Sequence, residues 1–217
     1  MAKETKYVFS SFKGLKHKEN WDELLIIDEA EYSIFAVFDG VSSAQGGKKG
    51  SLKSKQFIRQ NYKKYLTDKF ELKNLIYDLN QHLINSNVTE PYSTYCMVYF
   101  NKINKSYCYS WLGDSRLYYI TNQYVKQLTQ DDSYSENSIS KFLGDASLDL
   151  TDFRELQNFK DSGHLLLCTD GFYKIFESNK LAFFDNFLKK SLPLIKERIN
   201  SMVRGKNYDD STFIFVK

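Results

Sequence analysis

Proline occurs only twice in 217 residues, at Pro91 and Pro193, and no Pro/Gly/Ser-rich stretch, low-complexity segment or internal repeat interrupts the chain. That leaves no linker and no repeat array, so one continuous domain over residues 1–217 is expected. Cysteine is scarce too: Cys96, Cys108 and Cys168 form no CxxC pair and lie in apolar, strand-like runs. An odd set of this kind argues against a disulfide framework and for a reducing, cytoplasmic setting. His17, His82 and His164 are the only histidines and lack HExxH spacing, so no zinc site is expected. No apolar run approaches the roughly 20 residues that cross a bilayer, and MAKETKYVFS has no signal-peptide core, so a soluble chain with no membrane partner is expected. A formal charge of +3 without base-reading clusters gives no ground for a nucleic-acid partner.

Phe and Tyr are abundant, and they favour half-buried strands and bulky cores. β-Branched and aromatic runs predict strands over Leu24 to Ile27, Tyr32 to Phe38, Tyr95 to Phe100, Ser106 to Leu112, Arg116 to Ile120, Leu165 to Cys168 and Thr212 to Val216. Apolar residues at helical spacing predict helices over Lys48 to Leu66, Leu72 to Ile84 and Leu181 to Ile199, with a shorter one over Ser135 to Phe142. Strands arrive in groups joined by short turns rather than alternating with helices. The expected class is therefore α+β, a layered sandwich of antiparallel sheets covered by helices.

Three apolar strands meet a carboxylate at one end: Ile34 to Phe38 runs into Asp39-Gly40, Leu165 to Thr169 into Asp170-Gly171, and Asp209-Asp210 opens Ser211 to Val216. A single Asp-Gly reads as a turn. Several such strand ends point instead to a shared hard cation, because a buried carboxylate must be solvated, paired or given a metal. Oxygen ligands suit Mg²⁺ or Mn²⁺, and a glycine after the aspartate lets its own carbonyl approach an ion.

These segments resemble the PPM (type 2C) metal-dependent protein serine/threonine phosphatases over nearly the whole chain. Ile34-Phe-Ala-Val-Phe-Asp-Gly40 with Gly46-Gly47 resembles the family's first motif. Trp111-Leu-Gly-Asp-Ser-Arg-Leu-Tyr118 is similar to its GDSR segment, and Leu128-Thr129 with Asp131-Asp132-Ser133 to its LTxDHS segment. Leu165-Leu-Leu-Cys-Thr-Asp-Gly171 resembles LLLxSDG, and Asp209-Asp-Ser-Thr212 resembles the DNxT ending. Ile139 to Gly144 is similar to a short helix ending in LG. Five ordered motifs are specific where one would be weak.

The resemblance implies a four-layer sandwich of two antiparallel β-sheets flanked by pairs of α-helices. It further implies that Asp39 bridges two Mn²⁺ or Mg²⁺ ions, that the Gly40 carbonyl binds the first, and that Asp170 and Asp209 bind the second. A bridging hydroxide would attack phosphorus directly. Asp114 matches a position that contributes to a third, weaker ion; its alternative is a hairpin-turn aspartate. Ser115 and Arg116 are read as structural, the arginine pairing with carboxylates near the turn. The substrates implied are phosphoserine and phosphothreonine proteins, opposing a serine/threonine kinase, with the chain acting as a monomer.

The N-terminal motif departs from the family pattern. His17 stands where an arginine normally grips substrate phosphate, leaving Lys16 and Lys18 as neighbouring cations without its planar fork. Asn20-Trp21-Asp22 replaces an Asn-Glu-Asp-like triplet, so Asp22 is kept while Trp21 cannot accept hydrogen bonds from metal-bound water. A raised metal requirement follows, and so does a rival reading as a phosphatase-like binding module with weak or no turnover. The glycine-rich segment Val41 to Ser51 fails GxxxxGK[ST] at Ser42 and Lys49, which excludes a nucleotide-binding P-loop. The lysines of the following helix are read as a solvated face.

Overall fold

A computed structural model describes residues 5–135, 138–159, 163–189 and 191–217. The chain starts with strands β1 (Tyr7–Phe12), β2 (Asp22–Asp28) and β3 (Tyr32–Gly40), then helices α1 (Gly47–Asn61) and α2 (Leu72–Ile84). Four strands follow, β4 (Ser93–Asn101), β5 (Ser106–Leu112), β6 (Arg116–Ile120) and β7 (Val125–Gln127), then a small hairpin of β8 (Ser133–Ser135) and β9 (Ser138–Ile139). Beyond it lie β10 (Leu156–Phe159), β11 (His164–Cys168), helices α3 (Asp170–Ser178), α4 (Lys180–Lys189) and α5 (Leu192–Val203), and β12 (Ser211–Val216). One antiparallel sheet runs β10-β5-β4-β3-β2, the other β1-β12-β11-β6-β7.

Successive strand residues point to opposite faces, and that alternation builds the layers. Along β3, Ile34, Ala36 and Phe38 pack with α1 and α2, whereas Phe35 and Val37 pack against the other sheet. Opposite them, Leu117, Leu165, Leu167 and Ile214 fill the same inter-sheet layer, while Leu166, Cys168, Phe213 and Phe215 turn outward to α3, α4 and α5. The four expected layers are therefore present, with three helices on one side instead of a pair. Counting on by two from Val37 and back from Leu24 assigns Asp39 and Asp22 to the inter-sheet side. The β2–β3 register sets them directly opposite one another. Two carboxylates facing each other at one end of the sandwich are what the fold must accommodate.

Helix α1 seats closely because its buried stripe is small: Gly47, Gly50, Ser51, Ser54 and then Ile58. Ser51 Oγ donates to the Trp21 carbonyl at 2.6 Å, tying α1 to the start of β2. Lys48 pairs with Glu19 and Lys55 with Glu23, in keeping with a solvated basic face. Helix α2 buries Leu72, Leu75, Ile76, Leu79 and Leu83 at helical spacing, each contributing about 1.5–3 kcal/mol by leaving water.

Some expectations are corrected. The described residues of Ser135 to Phe142 contain no helix; Ser138–Ile139 pairs with Ser133–Ser135, and residues 136 and 137 lie outside the described part. The single helix expected over Leu181 to Ile199 is two, because Pro193 opens α5 near its first turn, where its missing N–H costs nothing. The short edge strands β1, β7 and β10, and helix α3, are additions. Cys96, Cys108 and Cys168 are free and buried. No helix among the described residues is long and apolar enough to cross a membrane.

Candidate metal centre

Asp39, Asp114, Asp170 and Asp209 line one cleft of about 1120 Å³ at the end of the sandwich, although 170 positions separate the first from the last. Each comes from a different element. Asp39 is the penultimate residue of β3, Asp114 sits in the β5–β6 turn after Gly113 (φ 88°), Asp170 opens α3, and Asp209 precedes β12. Close backbone packing explains the glycines of both Asp-Gly pairs. A Cβ on Gly40 would meet the Gly47 carbonyl oxygen at 2.6 Å, and one on Gly171 would meet the Asp210 carbonyl oxygen at 2.1 Å. Alanine at either position would push apart segments that carry the aspartates.

The floor of the cleft is short of positive charge. Asp22 is buried; Thr169 Oγ1 donates to its Oδ2 at 2.8 Å, yet its Oδ1 has no partner, and neither does the buried Asp114 Oδ1. Burial pushes the Asp22 carboxyl well above the usual 3.8, with Asp170 and Asp210 adding to the rise and the Thr169 hydroxyl opposing it. Asp39 opens partly to the cleft but lies deep in it, and desolvation followed by Asp22, Asp170, Asp114 and Asp209 raises its carboxyl likewise. Burial and Asp170 lift Asp114 to about 6, partly offset by Lys174. Stacked carboxylates with unpaired buried oxygens fit a hard divalent cation, which would satisfy those oxygens and allow all the groups to ionise. The donor set therefore fits Mn²⁺ or Mg²⁺.

At the rim the charge is offset by lysine. Lys16 Nζ lies 3.2 Å from Asp209 Oδ2 and 3.1 Å from Ser42 Oγ, and Lys174 Nζ lies 2.5 Å from Asp170 Oδ2. Arg116 forks onto Asp131 at 3.0 and 2.6 Å and stacks 3.5 Å over the Tyr173 ring, the structural role expected of it. Tyr173 in turn reaches Asp114 Oδ2 at 3.4 Å.

Among the described residues, one trio of His, Cys, Asp or Glu brings its ligand atoms within 4.8 Å: His17, Asp209 and Asp210. Asp39, Asp170 and Asp209 stand wider apart around the cleft. A wide ring suits two ions, since paired sites hold their metals about 3.5–4 Å apart with ligands at roughly 2.0–2.2 Å from each. His17 meets that ring only at Asp209, its Nδ1 lying 3.5 Å from Asp209 Oδ1. Its Nδ1 is 2.8 Å from buried Asp210 Oδ2, its ring stacks on Trp21, and it is absent from the cleft lining, as is exposed Lys18.

With this geometry in view, comparison with known proteins is decisive about family. The family model described as Protein phosphatase 2C matches residues 16–204. The chain belongs to the protein phosphatase 2C family. No curated protein matches the sequence. Among solved structures, the phosphatase 2C fold seen here is similar to the serine/threonine phosphatase Stp1 from Staphylococcus aureus, at 18% identity and TM-score 0.81, covering 100% of this chain and 96% of that one. It is also similar to the catalytic domain of the serine threonine protein phosphatase PstP, described in complex with two manganese ions, at 14% identity and TM-score 0.76, covering 99% and 98%. RsbX in complex with magnesium gives 16% identity and TM-score 0.73, covering 98% and 94%.

His17 joins the N-terminal segment to the Asp209-Asp210 pair through its contact with Asp210. Asp210 Oδ1 and Oδ2 also accept the Gly14 and Trp21 backbone N–H groups, each at 2.7 Å. The second acidic residue of Asp209-Asp210 thus anchors the N-terminal segment, a role the motif alone did not disclose. Lys174 and Tyr173 sit beyond the motif, on a helix that the Asp-Gly turn signal conceals in the sequence.

Proposed function

We propose that the chain hydrolyses phosphoserine and phosphothreonine monoesters in proteins at a two-ion centre held by Asp39, Asp170 and Asp209. The observation that carries this reading is the convergence of carboxylates from separate elements on one cleft, with buried oxygens of Asp22 and Asp114 left without hydrogen bonds. Membership of a metal-dependent protein serine/threonine phosphatase family supports it. Asp39 is the bridging candidate, the Gly40 carbonyl and Asp22 serve its side of the centre, and Asp114 beside Asp170 is the place for a third, weaker ion. Bound Mn²⁺ or Mg²⁺ would acidify a water between the two sites and neutralise phosphoryl oxygens, so that hydrolysis is direct.

The chain's own residues prepare that chemistry. Asp22 and Asp39, fixed by strand register, need no rearrangement to present their oxygens. Lys16 and Ser42 stand beside Asp209 at the cleft mouth and offer donors to a phosphate. His17 holds Asp210 and so positions the Lys16 segment rather than gripping phosphate itself. The same reading takes residues 1–217 as one monomeric cytoplasmic domain that opposes a serine/threonine kinase. The test is phosphate release from a phosphothreonine peptide across a Mn²⁺ titration, with a chelator control. Metal-dependent release is expected; a folded, metal-saturated protein that binds the peptide without releasing phosphate would contradict catalysis and leave only a binding module.

A further inference from the structure

Among the described residues three cations line the cleft, and they differ in how far they are committed. Arg116 has its Nε and Nη2 on Asp131, and its Nη1 lies 3.1 Å from both the Tyr118 hydroxyl and Glu177 Oε1. Lys16 divides its ammonium between Asp209 and Ser42. Lys174 makes one hydrogen bond, to Asp170 Oδ2, and its side chain is 49% exposed.

Asp170 opens α3 and Lys174 stands one turn further on, on the same face, so helix geometry tethers the ammonium beside that carboxylate. The oxygen it holds is one that a metal-binding Asp170 would need. A divalent cation bound to Asp170 would repel the ammonium and, if bound through Oδ2, compete with it for that oxygen's acceptor sites. That repulsion drives Lys174 off Asp170. Its stem nevertheless keeps Nζ in the cleft, where Asp131, Glu177 and Tyr173 are already engaged with Arg116, and where Asp114, the remaining acceptor, faces the place proposed for a third ion. A phosphoryl oxygen entering the cleft is then the natural acceptor, and a lysine ammonium with three rotatable donors suits such a swing better than a rigid fork.

We propose that Lys174 has two positions: it neutralises Asp170 in the metal-free protein and, once displaced, donates to a phosphate oxygen of the substrate. Lys174 thereby supplies a phosphate contact that His17, held by Asp210, does not. This rests on the phosphatase reading above and adds to it a phosphate ligand on α3.

Titration calorimetry on the full chain reads both positions without turnover. Lys174→Met keeps an unbranched stem and removes the charge; circular dichroism and thermal melting check its fold. Removing the competing ammonium should tighten Mn²⁺ binding by about two- to fivefold, the range of an exposed ion pair. Inorganic phosphate binding to the Mn²⁺-saturated variant should weaken by about tenfold, the loss of one charge-assisted hydrogen bond. Lys174→Arg should keep phosphate affinity within about threefold of the parent, since it retains a charged donor. A merely structural lysine would not move the two affinities in opposite directions. If the parent binds both Mn²⁺ and phosphate while Lys174→Met binds phosphate equally well, or Mn²⁺ no more tightly, the two-position role is wrong and the phosphatase reading stands. A parent that binds neither overturns both.

Discussion

The two ends of the aspartate cleft deal with the same chemical problem differently. At the floor, Asp39 faces buried Asp22 across β2 and β3, and burial raises both carboxyls well above 3.8, with Asp170 and Asp210 adding to the rise of Asp22 and Asp22 and Asp170 to that of Asp39. At the rim, Asp170 and Asp209 sit at a helix start and a strand entry, each within reach of a lysine. Position decides the difference: a half-buried carboxylate at the rim can recruit a flexible ammonium from solvent, whereas one fixed by strand register between two sheets is left to a proton or a metal. Under the proposed function, the floor would carry tight metal dependence and the rim exchange between lysine, ion and substrate.

The largest way to break that contrast is Asp39→Asn. Turnover should fall by more than about 100-fold, beyond the 10- to 100-fold typical of residues one contact removed from a metal. The sign for stability is opposite. A carboxyl whose pKa is raised by folding contributes stability at low pH and loses it as pH rises through the folded-state value. Without metal at pH 8 the Asn variant should therefore melt above the parent, by about 2–4 °C for each kcal/mol recovered, and the gap should shrink as pH is lowered. A variant that melts lower at pH 8 would mean that the Asp39 carboxylate is stabilised where it sits.

Next in size is the pH dependence of metal binding. Protons on Asp22 and Asp39 compete with the ion, and below about pH 6 Asp114 joins them. Mn²⁺ affinity measured by calorimetry should fall by about tenfold per pH unit for each proton displaced. Affinity independent of pH between 8 and 6 would contradict the raised floor.

Smaller effects sharpen the rim. His17→Ala removes one of three hydrogen bonds to buried Asp210 and should lower the melting temperature by about 2–6 °C, corresponding to roughly 1–1.5 kcal/mol. Turnover should suffer far less than in Asp39→Asn; an equal loss would place His17 on the substrate. Smallest of all is Trp21→Glu, because the indole stacks on His17 while the backbone of Trp21 serves Asp210 and Ser51. The Mn²⁺ requirement should change by less than the 10- to 100-fold typical of a residue that orients a metal ligand. A larger improvement would mean that position 21 reaches the metal waters after all.

Strand cores were legible wherever a run was both apolar and β-branched or aromatic, as in β3, β4 and β11, because burial on both faces leaves no ambiguity. Tyr7–Phe12 gives a weaker strand signal, since Ser10 and Ser11 break the run and pairing with β12 makes it a strand. Helix α3 escaped because Asp170-Gly171 signals a turn, and the strand-to-helix switch depends on the tight seat of Gly171 against Asp210. In the hairpin β8–β9, cross-strand pairing overrides a weak helical spacing. The motif aspartates stood out as strand-end carboxylates. The anchoring contacts of Asp210 and the position of Lys174 are not legible in the sequence, because they depend on contacts that only the folded chain brings together.

Mn²⁺-soaked crystals measured by anomalous diffraction at the manganese edge test the centre most directly. Two peaks about 3.5–4 Å apart are expected, with Asp39 between them, Asp170 and Asp209 on the second, and Lys174 moved off Asp170. A single peak on His17, Asp209 and Asp210, with Asp39 unligated, would contradict it.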